Sequence, residues 1–344
     1  MTTSTEAAAV PRPSATAGQR LRARAVAWLA NLLAVMPESV LGGLADVVGE
    51  AWYRLAPRRA SLGRRNLQRV VRHLVTRGLA SPRVTVAATD GAALERLLRA
   101  TFRHAVRYYV DLARIPHHDA AEVEAHLAVE TPETVAQAFG PDAPAILVGM
   151  HFGAVEYPAR FAVARSRTSI LTPMETLADP ALQAWVARTR GSTGVAIVGL
   201  RDARRALSAA LAAGRPVGIV ADRNVAGGSL DTPFFGTPAP MPLGPALLAV
   251  ESGRPIYLGA VRRLGGGRYA GRLYAVPVTA SGDRRERITA TMATLARTME
   301  EAIAVAPEQW WSLLSPLWAD LDPRAATGTG RLEPPEPGGR EEAA

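Results

Sequence analysis

His151 is followed five positions later by Glu156, in the segment GMHFGAVEYPARF that runs from Gly149 to Phe161. An imidazole and a carboxylate form the smallest set able to do general-base chemistry. A carboxylate that accepts from Nδ1–H fixes the tautomer and leaves Nε2 as the base. That base can take a proton from a hydroxyl as the oxygen attacks a carbonyl. The set is that of a serine hydrolase without its serine. No Gly-x-Ser-x-Gly stretch exists to supply a nucleophile, so the attacking hydroxyl must belong to a substrate. No His-Glu-x-x-His, P-loop or Gly-x-Gly-x-x-Gly pattern occurs, and there are no cysteines. Thiolate metal sites, cysteine nucleophiles and disulfides are therefore excluded, and no cofactor is expected.

What lifts this pair above a chance spacing is its place in the chain. PAILV, a short apolar block, precedes the histidine, and EYPARFAVAR follows with helical spacing. In α/β folds ligands bind at the carboxyl ends of strands, in loops that lead into helices. Further strand patterns follow in SILTPM, VAIVGL, PVGIVADR and PIYLGAVRR, separated by the helical patterns PALQAWVARTRGSTG, DARRALSAALAAG and LGPALLAVESG. This alternation predicts a mixed, largely parallel sheet with helices on both faces. GRLYAVPV is expected to pair with IYLGAVRR through the Gly-rich turn GGGR, and the helix of DRRERITATMATLARTMEEAIAVAP follows.

The N-terminal third is different. DGAALERLLRATFRHAVRYYVDLARI predicts a long helix from an Asp90 N-cap, and SPRVTVAATD before it reads as loop. The apolar run Ala25–Met36 is shorter than the ~20 residues that span a bilayer. It imitates a secretory signal but lacks a small-x-small cleavage site, and an apolar pattern resumes after Pro37. From Arg54 to Arg72 the chain carries seven arginines and no acid. An apolar helical pair followed by a polybasic helix has the composition of a membrane-surface element, with Arg58, Arg59, Arg64 and Arg65 facing headgroups. The competing reading is a solvated helix face with the apolar pair packed on a core. The expected organisation is a disordered tail over 1–19, a helical membrane-associating region over 20–115, an α/β core over 116–320 and a disordered tail over 321–344.

HFGAVE resembles the His-x4-Asp/Glu motif of the glycerophospholipid acyltransferases, and most closely the branch of lipid A late acyltransferases and phosphatidylinositol mannoside acyltransferases. ARTRGSTGVAIV is similar to that branch's Arg-x-x-x-Gly helix end. VGIVADRNVAGGSLDTPFFGTPAPMPLGPALLAVESGRPI resembles its Asp-Arg/Gln strand end, Phe-Phe-Gly segment and Gly-Pro-x-x-Leu-Ala helix. RRNLQRV resembles its early Arg/Asn-Leu helix. The resemblance implies that His151 is a general base oriented by Glu156, and that Arg190 binds phosphate or the developing oxyanion. It implies that Asp222 and Arg223 contact the acceptor headgroup or the first ring of site residues. It places Phe234, Phe235 and Gly236 in a loop closing the acyl or acceptor side. Ala154-Val155 stands where the family carries Asn-Trp. The implied reaction moves a fatty acyl group from acyl-CoA or acyl carrier protein to a hydroxyl of a lysophospholipid or glycolipid. It runs at the cytoplasmic face of the cell membrane, without metal.

The chain of 344 residues carries a formal charge of +9, supplied entirely by arginine. Coding bias towards Arg accounts for the missing lysine. The charge suits anionic lipid, an acidic carrier protein or nucleic acid, but no aromatic-basic module supports the last. A lipid-binding protein without activity and a thioesterase are the remaining rivals. PHHDAAEVEAH gathers three histidines and three acids at a spacing that fits no metal site, and it reads as loop and helix. Trp310, Trp311 and Trp318 fit either an interfacial belt or core packing of the C-terminal segment.

Overall fold

The computed structural model describes residues 15–140, 144–224 and 228–321. Of the tails expected over 1–19 and 321–344, residues 1–14 and 322–344 lie outside these residues, whereas Thr16 caps and residues 17–19 begin helix α1 (Ala17–Val35), and Leu321 ends a short turn. A Thr16–Gln19 capping box starts α1, and Pro37 separates it from α2 (Glu38–Leu55). Pro57 opens α3 (Pro57–Thr76), where its missing N–H costs nothing. The segment read as loop before Asp90 is instead a short helix, α4 (Pro82–Thr89), which buries Val84 and Ala87. Asp90 caps α5 (Gly91–Arg114) as expected, its side chain accepting from the Ala92 N–H.

After α6 (Ala120–His126), β1 (Leu127–Val129) and α7 (Pro132–Ala138), strands and helices alternate. They are β2 (Ile146–Gly149), α8 (Glu156–Ser166), β3 (Ile170–Met174), α9 (Pro180–Gly191), β4 (Val195–Gly199), α10 (Ala203–Ala212) and β5 (Val217–Val220). A separate antiparallel ribbon, β6 (Ser229–Phe234) with β7 (Thr237–Pro242), follows. The sequence reading missed it because Pro233, Pro238, Pro240 and Pro242 interrupt the strand pattern. Prolines withhold donors, which confines such a ribbon to the outside of the main sheet. Helix α11 (Gly244–Ser252), the hairpin β8 (Ile256–Gly265) and β9 (Arg268–Val276), and α12 (Arg284–Ala304) complete the fold.

The main sheet has the order β1-β9-β8-β2-β5-β3-β4. β8, β2, β5, β3 and β4 run parallel, and β9 turns back antiparallel to β8. The alternating side chains of each strand sort onto two faces. Ile146, Val148, Val217, Ile219, Ile256 and Leu258 belong to the larger buried cluster, with Leu248 of α11 and Met292, Leu295 and Met299 of α12. Leu67 and Val70 of α3, Leu98 and Phe102 of α5, and Trp310 join the same cluster. The N-terminal helices and the sheet thus share one core. The opposite face is covered by α8, whose Tyr157 and Phe161 pack with Val261 and Tyr269.

Candidate active site

β2 and β5 are parallel neighbours, with Gly149 opposite Val220. Their carboxyl ends therefore deliver the next residues to one place. The Ala221 N–H donates to the Gly149 carbonyl at 3.1 Å, which carries the pairing one step further. His151 and Asp222 meet beyond it, with His151 Nδ1 2.8 Å from Asp222 Oδ1. The His151 backbone N–H donates to Asp222 Oδ2 at 3.1 Å. That oxygen also accepts from Trp310 Nε1 at 2.7 Å and from Ser312 Oγ at 2.8 Å.

The Asp222 carboxylate is fully buried. Burial alone would raise its pKa. The adjacent His151 charge and the bonds from His151, Trp310 and Ser312 outweigh burial and hold it well below the usual carboxylate range. An ionised acceptor fixed on two sides locks the Nδ1–H tautomer. Nε2 of His151 has no hydrogen-bond partner among the described residues, and 18% of the side chain is exposed.

Glu156 does not reach the histidine. After His151 the chain is pulled sideways: Phe152 bridges to Trp310 and Gly153 to Val261 of β8. Gly153 sits at φ +53°, and a Cβ there would lie 2.0 Å from the Val261 carbonyl oxygen, so only glycine passes. Glu156 lies in the first turn of the next helix, as expected, but the detour draws the intervening loop aside. Glu156 begins α8 with its side chain buried and accepts from Arg190 Nη2 at 2.9 Å. The carboxylate that orients the imidazole in this geometry is Asp222, a correction to the sequence expectation for both acids.

Arg190, in the last turn of α9, is held by Glu156 and lies 3.4 Å from the Tyr108 hydroxyl. Burial opposes its charge, but Glu156 and Tyr108 hold its pKa above the ordinary arginine value. Tyr108 packs against Trp311 at 4.7 Å between ring centroids, and Trp311 meets His151 edge-on at 4.6 Å. These contacts join the Arg190–Glu156 pair to the histidine through two aromatic rings.

The other expected site residues are placed differently. Arg223 is half-buried and reaches Ser315 Oγ at 3.4 Å. Phe234 and Phe235 do not form a loop over the site. Both are buried against Trp310, at 5.5 and 5.6 Å, behind the indole that bonds Asp222. Gly236, at φ +76°, faces His73 rather than an opening. Their apolar rings are drawn into the core, and their service to the site is to fix Trp310. The indoles of Trp310 and Trp318 are core, while Trp311 is half-buried beside the histidine.

An apolar cavity of about 130 Å³ begins next to this centre, between α8 and the sheet. Its floor includes Gly149 of β2, Gly218 of β5, Gly259 of β8 and Gly271 of β9. The pairing of Val148 with Leu258 sets Gly149 beside Gly259, and Leu147 faces Gly218. Glycine in a strand interior withholds a side chain, and here four neighbouring strands do so on one face. Val155, Pro158 and Ala162 of the loop and helix above close the cavity.

Residues 87–319 match the model of the bacterial lipid A biosynthesis acyltransferases. The chain belongs to that family. It is similar to the phosphatidylinositol mannoside acyltransferase of Mycolicibacterium smegmatis, at 29% identity over 240 residues that cover 68% of this chain and 77% of the relative. The chain is thus an acyltransferase of lipid biosynthesis, with an acyl donor and a lipid acceptor. In this acyltransferase, sequence reasoning missed Trp310 and Ser312 as partners of Asp222, and Tyr108 and Trp311 as the wall between Arg190 and His151. The one signal available was EQWWS, a cluster of hydrogen-bonding residues closing the matched segment.

Among the described residues no helix is long and apolar enough to cross a membrane. Arg64 is not free to face headgroups, because its guanidinium grips Glu95 of α5 at 2.7 and 3.0 Å. Arg65 reaches the Leu321 carbonyl at 3.3 Å. Arg58 and Arg59 are exposed, with the Arg59 guanidinium 5.6 Å from the Trp52 ring centre. The apolar helical pair is itself exposed: Trp28, Leu32 and Val35 of α1 and Val40, Leu44 and Val47 of α2 stand in solvent.

Proposed function

We propose that this enzyme moves a fatty acyl group from a thioester carrier, acyl-CoA or acyl carrier protein, to a hydroxyl of a membrane glycolipid of the lipid A or phosphatidylinositol mannoside kind. The observation that carries the reading is the contact of His151 Nδ1 with buried Asp222, which leaves Nε2 free beside an apolar cavity. His151 Nε2 takes the proton of the acceptor hydroxyl as its oxygen attacks the thioester carbonyl. Asp222 stabilises the imidazolium that forms. The tetrahedral intermediate then collapses to the ester, and the departing thiolate takes the proton back from His151. The Arg190 fork, engaged by Glu156 at Nη2, keeps its other nitrogens for a substrate oxygen. Glu156 is a positioning residue for that fork.

The acyl chain enters the glycine-floored cavity. Its 130 Å³ is comparable to apolar cavities that stay dry and take a benzene-sized guest, so α8 must yield for a longer chain. The exposed apolar faces of α1 and α2 dip into the acyl boundary of the membrane, with Arg58 and Arg59 at headgroup level. Both donor types are cytoplasmic, which puts the enzyme at the cytoplasmic face. The test is product analysis by mass spectrometry of purified protein with palmitoyl-CoA or palmitoyl carrier protein, with and without a phosphatidylinositol mannoside. Acylated acceptor is the expected product. Free fatty acid released at the same rate whether or not acceptor is present would replace acyl transfer by thioester hydrolysis.

A further inference from the structure

A second cavity, polar and about 710 Å³, lies between the start of α2, the middle of α5 and the tip of the β8–β9 hairpin. The hairpin turns through Gly266 and Gly267, both at positive φ, and its tip packs on α2, where a Cβ on Gly267 would meet Glu38 at 3.4 Å. His104 and Arg107 face the cavity from α5, Arg263 and Arg268 from the hairpin, and Glu38 from α2. Arg107 pairs with Asp46 at 2.6 Å, Arg263 with Asp111, and Glu38 with Arg114. Arg103 lies 4.0 Å from Asp46, and Arg268 has no ion pair among the described residues. Counting these groups, five arginines face three carboxylates. Asp111, pushed up to about 6 by burial, is still ionised at neutral pH and is included.

Three buried donor or acceptor atoms at this place have no partner among the described residues: Arg263 Nη1 and His104 Nδ1, which belong to residues lining the cavity, and Arg114 Nε behind Glu38. A buried polar atom without a partner carries a desolvation cost, and these atoms are sealed from solvent, so a small side-chain shift towards the cavity must open them before a ligand oxygen can remove that cost. His104 is held neutral, its pKa well below the ordinary histidine range. Burial is the main cause, aided by Arg263, Arg107, Arg103 and Arg83, the last of which pairs with Glu308 at 2.7 Å. An arriving anion would reverse that field and let the imidazole take a proton.

We infer that this cavity binds a phosphate group, held by the guanidinium groups of Arg107, Arg263 and Arg268 around His104. Guanidinium forks match phosphate geometry, and the charge left over in the cavity is positive. The volume lies within the range of small-molecule sites and exceeds what a bare phosphate fills. The ligand can therefore be a phosphodiester headgroup, delivered beside the exposed apolar residues of α2, or free phosphate. The cavity adjoins the acyl-transfer centre without being part of it. Gly153 pairs with Val261, and Arg263 stands two residues further along β8, about 7 Å away by strand rise.

The test uses the full chain with isotope-labelled histidine, observed by NMR, with the His104 signal assigned by His104→Gln. Titration is carried out with inorganic phosphate and, separately, with glycerophosphoinositol. The signal should move saturably and report a raised His104 pKa. Arg107→Ala/Arg268→Ala should weaken binding about tenfold or more, whereas Arg205→Ala, on exposed α10, should not change it. Arg268→Ala alone, at an exposed hairpin tip, gives the same direction if the double variant disturbs α5. Tighter binding of glycerophosphoinositol identifies a lipid headgroup as the source, and tighter binding of inorganic phosphate identifies a free anion. No saturable shift with either probe, or affinity unchanged in the arginine variants, would overturn the assignment.

Discussion

Gly259 offers a way to shorten the acyl cavity without disturbing the fold. It lies mid-strand in β8, and a Cβ built on it would meet Leu273 at 3.7 Å, Pro158 at 3.8 Å and the Val148 carbonyl at 3.9 Å, all ordinary contacts. Gly259→Val therefore enters without backbone strain, and its three carbons fill the space of about three methylenes of the acyl chain. At about 0.8 kcal/mol per buried methylene, the loss is ~2.4 kcal/mol, or roughly 50-fold in kcat/KM for a long donor. The assay is competition between C16 and C10 thioesters for one acceptor, with Tm measured in parallel. Valine suits a strand better than glycine, so Tm should hold or rise. The expected result is a collapse of C16 transfer with C10 transfer retained. Equal loss on both donors, or wild-type use of C16 by a folded variant, would refute the placement of the chain.

Arg190→Ala leaves Glu156 buried and uncompensated, which should cost about 3–5 kcal/mol of stability, and Glu156→Gln/Arg190→Met should recover much of it in a denaturant titration. Arg190→Lys should transfer acyl groups nearly as poorly as alanine, because lysine lacks the fork; full activity with lysine would reduce Arg190 to a helix-end charge. Stability should fall as pH drops below about 6.5, where the unfolded His104 imidazole takes a proton that the folded one resists. The depressed folded pKa gives stability that is present above 6.5 and is lost on acidification, and His104→Gln should flatten this slope in pH-dependent unfolding. Trp28→Glu/Leu32→Glu should release the protein from anionic vesicles by sedimentation while sparing activity on detergent-dispersed acceptor. Arg58→Glu/Arg59→Glu should act mainly at low salt.

The strand–helix alternation was legible because each strand is short, apolar and bounded by turns, and the position of His151 at a strand end followed from it. The partner of His151 was not legible. Asp222 stands 71 residues away and reaches the histidine only because β5 lies beside β2, and strand order is set by packing rather than by local pattern. Glu156 looked right because a short loop joins His151 to the helix it begins, but the Gly153 bridge to β8 draws that loop aside. The aromatic pair Phe234-Phe235 had no local mark to separate a lid from a buttress. The cavity left a trace that could have been read: ILVG, VGIV, LGA and AGR each carry glycine within or at the end of a strand. Arg64 shows the limit of charge counting, since its acidic partner Glu95 comes from another helix.

The central claim is that Asp222, not Glu156, makes His151 a base, and the turnover of Asp222→Asn beside Glu156→Gln tests it most directly. Both are measured as acylated glycolipid formed from a saturating long-chain thioester, on proteins shown to be folded by circular dichroism. Asparagine keeps the shape at 222 but no longer secures the Nδ1–H tautomer or an imidazolium. Asp222→Asn should lower kcat by about 10²–10⁴. Glu156→Gln should cost less and leave the pH profile of kcat in place. Near-normal turnover of Asp222→Asn with collapse of Glu156→Gln would contradict the account.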